Sequence, residues 1–234
     1  PVRVMLADEV GLGKTFEAGA MISYMIAHAG VSRTLVLAPK AVVYQWQAEL
    51  SEQFGLDAWV YESERKTFVS PNSEVVVLRP EEPILGARTP RISIISAQLA
   101  RGTRKKGHIF EPASVLPDLL VVDEAHAARV KPDLADKERP TLMWKMLKGV
   151  VLKIPHIIFA TATPMQVHWR EYHALLELLG LPDDWVKPDN YRRSLDLATQ
   201  SDGVELTDAS LTAKLIRASL SGFSPSDLDF SSEE

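Results

Sequence analysis

A chain of 234 residues, 46% of them hydrophobic and 24% charged, has the composition of a globular protein with room for one sizeable core. The absence of cysteine excludes a disulfide framework and thiolate metal sites, and is compatible with a reducing compartment. The net charge of −5 is uneven: residues 181–234 carry 11 acidic and 5 basic side chains, which leaves residues 1–180 at a net of +1. The body of the chain is therefore nearly neutral, and any nucleic-acid contact must come from a local patch. No apolar run reaches the ~18 residues of a membrane span. The N-terminal apolar segment runs into a glycine turn, so it is not expected to be a signal peptide. The start on Pro1, directly before a strand, suggests an excised fragment.

The first stretch, VRVMLADEVGLGKTFEAG (residues 2–19), predicts a strand, a glycine-bearing loop and a helix. Gly11 and Gly13 lack a Cβ, so backbone N–H groups can curl around an anion with Leu12 between them. Lys14 supplies a cation for the β- and γ-phosphates of a nucleotide, and Thr15 a hydroxyl for Mg²⁺. The strict phosphate-loop pattern has glycine six residues before the lysine; here that position is Asp8. Residues 15–29 are apolar nearly all round, which predicts a helix buried on several sides. TLVLAP (34–39) reads as a strand covered on both faces. Val43, Trp46, Leu50 and Phe54 predict an amphipathic helix over 41–54 that Gly55 ends, with Trp46 read as a core anchor.

Short strands are expected at Ala58–Tyr61 and Glu74–Leu78, with a polar loop over 62–73 between them. Residues 91–96 form another apolar strand. RGTRKKGH (101–108) is the one dense basic run, read either as a solvated loop or as a phosphate-contacting one. Asp118–Val122 is a buried strand that delivers Asp123, Glu124, Ala125 and His126. Residues 129–140 read as a loop, 141–150 as a helix and 156–161 as a strand. Trp169, Tyr172, Leu176 and Leu179 mark a further helix. A helix is also expected over 204–220, and an acidic, disordered end over 221–234. The alternation of strands and helices predicts an α/β fold with a mostly parallel sheet covered by helices on both faces. In such sheets ligands bind beyond the carboxyl ends of the strands, where the phosphate loop, Asp123-Glu124 and Thr161–Thr163 all fall.

The acidic pair has a direct chemical reading. Asp123 can hold Mg²⁺, and Glu124 beside it can orient and deprotonate an attacking water. His126 is not expected to bind a metal, because no partner ligands stand at suitable spacing.

These motifs, taken in order over residues 4–180, resemble the first RecA-like lobe of superfamily 2 helicase-like ATPases of the Swi/Snf type. ADEVGLGKT resembles motif I, LVLAPKAVVYQWQAEL motif Ia, ISIISAQLA a later strand-and-loop motif, LLVVDEAH motif II and IIFATATPMQ motif III. LADEVGLGKTFEAGAMI is most similar to the bacterial branch typified by RapA. The resemblance implies a RecA-like fold, ATP and Mg²⁺ as cofactors, and ATP-driven translocation along duplex DNA that displaces or remodels bound protein. It implies that His126, Thr161 and Thr163 couple nucleotide state to the track. It also implies that Lys40, Ser96 and Gln98 meet the DNA backbone, contacts that carry affinity without sequence information. The implied partners are double-stranded DNA, a second RecA-like lobe of the same parent chain, and RNA polymerase or another DNA-bound protein, with no membrane. The implied location is the bacterial cytoplasm, at the nucleoid.

Residues 1–180 are expected to be the ATP-binding lobe and 181–234 an acidic tail or inter-lobe region, with the second lobe absent. Turnover by the isolated lobe is accordingly expected to be poor. The competing readings are another superfamily 2 motor, such as a restriction-enzyme motor subunit or an RNA helicase, and a nucleotide- or nucleic-acid-binding module without turnover.

Overall fold

The computed structural model describes residues 1–7, 13–102, 108–110, 114–131, 139–162, 169–181 and 187–192. The expected basic run is described only at its two ends, and the segments 204–220 and 221–234 lie outside the described residues.

Eight strands form one sheet: β1 (Arg3–Leu6), β2 (Thr34–Ala38), β3 (Ala58–Glu62), β4 (Thr67–Val69), β5 (Val75–Val77), β6 (Ile92–Ser96), β7 (Leu119–Val122) and β10 (His156–Ala160). Their order is β1-β10-β7-β2-β6-β3-β4-β5. The pairings from β1 through to β3 are parallel, and β4 and β5 add an antiparallel edge. A separate two-stranded ribbon pairs β8 (Val130–Lys131) with β9 (Arg139–Pro140). The central strands alternate their apolar side chains between two cores. Leu35, Leu37, Ile95, Leu120, Val122, Ile157 and Phe159 face one side, and Val36, Ala38, Ile94, Leu119, Val121 and Ile158 face the other. Strands buried on both faces are apolar at every position, which is why they read as continuous runs.

The helices α1 (Lys14–His28) and α2 (Val43–Phe54) cover one face. On the other face lie α3 (Ala97–Ala100), α4 (Leu142–Val150) and α5 (Trp169–Leu179). Helix α1 buries Ala18, Ile22 and Met25, but Phe16, Ala20, Tyr24 and Ala27 are exposed. It is therefore covered on one face, not on several. Its apolar outer positions are partly alanines, which a solvated helix face tolerates well. Gly19 has a packing role, because a Cβ there would stand 2.4 Å from the Phe54 ring.

Two other expectations differ from the structure. The segment 62–73 is not all loop: it contains β4, which pairs with β3 as a hairpin and buries Phe68 completely against Tyr61, ring centroids 4.9 Å apart. Three residues are too few to set a period, so the strand was not visible in the pattern. Likewise 129–140 contains the two-residue strands β8 and β9, whose pairing depends on the fold around them.

One carboxylate anchors the amino ends of the central strands. Asp118, just before β7, accepts hydrogen bonds from the Ser32 N–H (2.9 Å), the Ser32 hydroxyl (2.7 Å) and the Arg33 N–H (2.8 Å) just before β2. Partial burial pushes its pKa up, but the Ser32 hydroxyl, the backbone donors and the Arg33 charge outweigh this and hold it below the usual carboxylate value. A lowered folded-state pKa means stability that is present above the unfolded value and is lost as pH falls through the folded one. Asp118→Ala should therefore cost about 1 kcal/mol at neutral pH, a modest figure because the clamp is part-exposed. Denaturation curves of variant and wild type should converge as pH falls below about 4. A gap that stays constant into acid would rule out the clamp.

Candidate active site

The parallel strands end in step. Leu6 pairs with Ala160, Phe159 with Val122, Leu37 with Val122, and Ala38 with Ser96. The segments that leave these ends are also tied together: the Asp123 N–H donates to the Leu37 carbonyl (2.8 Å) and the Thr161 N–H to the Leu6 carbonyl (3.0 Å). Sequence-distant residues are thus delivered to one edge.

After β1 the chain re-enters the described region at Gly13, in the left-handed conformation (φ 88°, ψ 27°), and begins α1 at Lys14. Gly13 caps the helix without a side chain, and its carbonyl accepts from the Glu17 N–H at 2.9 Å. Lys14 and Thr15 are half-buried in the first turn. Gly11, Leu12 and Thr163 lie outside the described residues.

After β7, Asp123 is held by two donors. Its Oδ2 accepts from the Trp46 indole Nε1–H at 2.9 Å, and its Oδ1 accepts from the Glu124 backbone N–H at 2.9 Å. Burial pushes its pKa up; the Trp46 and Glu124 donors and the positive charge of Lys14 act against that push, while the Glu124 carboxylate adds to it. Lys14 and Asp123 therefore sit within electrostatic reach of each other, as a shared phosphate and cation site requires. Glu124 itself adopts the left-handed conformation (φ 50°, ψ 47°), which is sparsely populated by residues with a Cβ. The turn at Ala125–Ala127 holds it there, with the Ala127 N–H donating to the Glu124 carbonyl at 2.9 Å.

His126 joins the second and third segments. Its Nδ1 lies 3.1 Å from Glu124 Oε2 and 3.3 Å from Thr161 Oγ1. Thr161 is buried, directly after β10. A single imidazole edge thus contacts both the candidate base and the next strand's hydroxyl.

The three expected nucleic-acid residues lie together in a groove of about 570 Å³, lined also by Tyr44, Tyr61, Glu62 and Arg65. The Lys40 N–H donates to Gln98 Oε1 at 3.0 Å. The Ser96 hydroxyl caps α3 by accepting from the Leu99 N–H at 3.2 Å. The Tyr44 hydroxyl donates to Glu62 at 2.6 Å, a bond that, with burial and the carboxylate charge, pushes the phenol pKa up to about 12. Gln47 fixes the wall of the groove by donating to the Ala58 and Val69 carbonyls, both at 2.9 Å.

Sequence reading missed one member of this site. Trp46 is a core anchor, 1% exposed, but its indole N–H is spent on Asp123. The available signal was that a buried tryptophan usually finds a partner for its N–H.

For Mg²⁺, Thr15 and Asp123 offer hard oxygen donors. Among the described residues no group of three or more His, Cys, Asp or Glu side chains is placed to hold a metal.

The model of the SNF2-related domain matches residues 2–220. The RNA polymerase-associated protein RapA of Vibrio parahaemolyticus is 33% identical over 182 residues, which is 77% of this chain and 17% of that protein. RapA of Serratia proteamaculans is 34% identical over 178 residues, 76% of this chain and 16% of that protein. Among solved structures, the Sulfolobus solfataricus SWI2/SNF2 ATPase core in complex with dsDNA superimposes with a TM-score of 0.60 at 19% identity, over 93% of this chain and 39% of that one. The same core crystallised as a domain gives 0.56 at 21% identity, over 93% and 38%. The fold is RecA-like, and the chain belongs to the SNF2-related domain family of helicase-like proteins. Within that family it stands close to RapA, and it spans about one sixth of the length of the RapA proteins it matches.

The left-handed backbone at Gly13 gives a direct test of the loop. A Cβ there has space, its nearest neighbour being Phe16 Cβ at 3.9 Å, so the penalty is conformational. Gly13→Ala should cost about 1–2 kcal/mol, and Gly13→Asn less, because asparagine tolerates this region better. Equal losses in chemical denaturation would contradict that geometry.

Proposed function

We propose that this chain is the ATP-binding first lobe, residues 1–180, of a two-lobe motor that tracks along duplex DNA and displaces or remodels bound protein. In this reading residues 181–234 belong to an acidic inter-lobe region, and a second RecA-like lobe is supplied by the parent chain. The carrying observation is the convergence of Lys14, Asp123-Glu124 and Thr161 at one sheet edge, with His126 touching both Glu124 and Thr161. In this reading Asp123 to His126 are a DEAH box that works with the phosphate-loop lysine, Lys14.

The residues then divide the work. Gly11, Leu12 and Gly13 present backbone N–H groups to the β-phosphate, and Lys14 neutralises charge on the β- and γ-phosphates. Thr15 and Asp123 would hold Mg²⁺, which supplies charge neutralisation across the same oxygens when bound. Glu124 orients the attacking water and takes its proton. His126, Thr161 and Thr163 pass the state of the γ-phosphate towards the track. Lys40, Ser96 and Gln98 meet one DNA strand through its phosphates. The association of the RapA relatives with RNA polymerase supports RNA polymerase as the remodelled partner, and in this reading the place of action is the bacterial cytoplasm, at the nucleoid.

Isothermal calorimetry tests the site. The chain should bind ADP with Mg²⁺, and Lys14→Ala should abolish that binding; equal affinities would sink the assignment. In the full-length parent, Glu124→Gln should spare ATP binding and lower hydrolysis by about 10²–10⁴-fold.

Two measurements test the motor reading. Binding of duplex DNA by this lobe should be sequence-independent, with log K falling linearly in log salt. Tight binding that survives high salt would contradict backbone tracking. Residues 1–234 alone should turn over well below 1 s⁻¹ and show no DNA stimulation, because a second-lobe arginine is worth about 10³–10⁵ in rate. DNA-stimulated turnover lost in Lys14→Ala would overturn the half-motor reading.

A further inference from the structure

We infer that Trp46 is a positioning residue for the magnesium carboxylate: its indole N–H, donated to Asp123 Oδ2 at 2.9 Å, fixes which carboxylate lone pairs remain free for the cation. The inference rests on the nucleotide reading above and deepens it.

A carboxylate offers about four lone-pair positions. Two are occupied, one on each oxygen: Oδ2 by the Trp46 indole and Oδ1 by the Glu124 N–H. The two donors hold the carboxylate plane from opposite ends. They come from different elements, since Glu124 moves with Asp123 itself whereas Trp46 stands on α2. Of these two donors, it is therefore Trp46 that sets the plane relative to the rest of the protein. It is well suited to this, because its ring is 1% exposed and packed in the core between α2 and the sheet. Its position is held further by its neighbour Gln47, which ties α2 to the β3 and β4 carbonyls. Removing a donor that orients a metal-binding side chain typically changes metal affinity by about 10–100-fold.

Helix α2 also lines the groove. Val43 and Tyr44, three and two residues before Trp46, form part of its wall with Lys40 just ahead of the helix. The side chain that orients the carboxylate is thus on the same rigid element as the candidate track contacts.

Trp46→Phe keeps an aromatic ring, smaller than the indole, and removes the donor. Calorimetry on the 234-residue chain should show ADP affinity without Mg²⁺ unchanged, and the gain on adding Mg²⁺ reduced by about 10-fold. A full Mg²⁺-dependent gain in the variant overturns the inference and leaves the nucleotide reading standing. ADP binding that ignores both Mg²⁺ and Lys14→Ala sinks the nucleotide reading, and the inference with it. A readout without nucleotide covers the case in which Trp46→Phe folds poorly. In ¹H–¹⁵N spectra of the wild type, the Trp46 indole N–H should resonate downfield and exchange slowly, and Asp123→Ala should shift it upfield. An indole resonance indifferent to Asp123→Ala overturns the proposal.

Discussion

The structure depends on parallel strands that finish together. Backbone hydrogen bonding brings Leu6, Ala38, Ser96, Val122 and Ala160 to one edge of the sheet. Among the described residues, the segments that carry Asp123, Glu124, His126 and Thr161 leave from that edge. The bonds from Asp123 to Leu37 and from Thr161 to Leu6 carry the ladder one step beyond the strands, so the first functional residue of each segment is placed by main chain and not by its own side chain. Two apolar cores back this edge from opposite faces. Each core is close-packed, so a shift of one strand end would be resisted by both.

Within that frame the polar groups are placed by bonds that cross long sequence distances. Trp46 and Asp123 are 77 residues apart, and His126 and Thr161 are 35. Part-buried polar contacts of this kind are useful because an unpaired partner shielded from water is costly, so each arrangement is preferred over its neighbours. Glu124 shows the same logic in its backbone. A left-handed residue with a side chain persists where surrounding bonds over-determine it, and here the following turn and His126 both do so.

Much of this was legible in the sequence. Continuous apolar runs announced β2, β6, β7 and β10, and the motif spacing put Lys14, Asp123 and Thr161 at strand ends. The mostly parallel α/β sheet followed from that alternation, and the RecA-like fold from the resemblance of the motifs. What stayed hidden was set by tertiary context. β4 is three residues long, and its identity comes from pairing with β3 and burying Phe68. The exposed stripe of α1 was hidden because alanine and tyrosine read as apolar wherever they point. Trp46 was legible as a buried ring, yet its bond to Asp123 was not, since nothing local distinguishes one buried indole from another.

The strand that leads into the phosphate loop is also an edge of the sheet. β1 pairs only with β10, and its other side carries no strand among the described residues. Every other segment of the site hangs from a strand paired on both sides. Local opening free energies fall where backbone bonds are few, so among the strands that lead into the site β1 is the one held least by its neighbours. The strand that leads towards Lys14 is therefore a singly paired edge, while Asp123-Glu124 follow the doubly paired β7. A domain built this way has a compliant jaw and a rigid anvil.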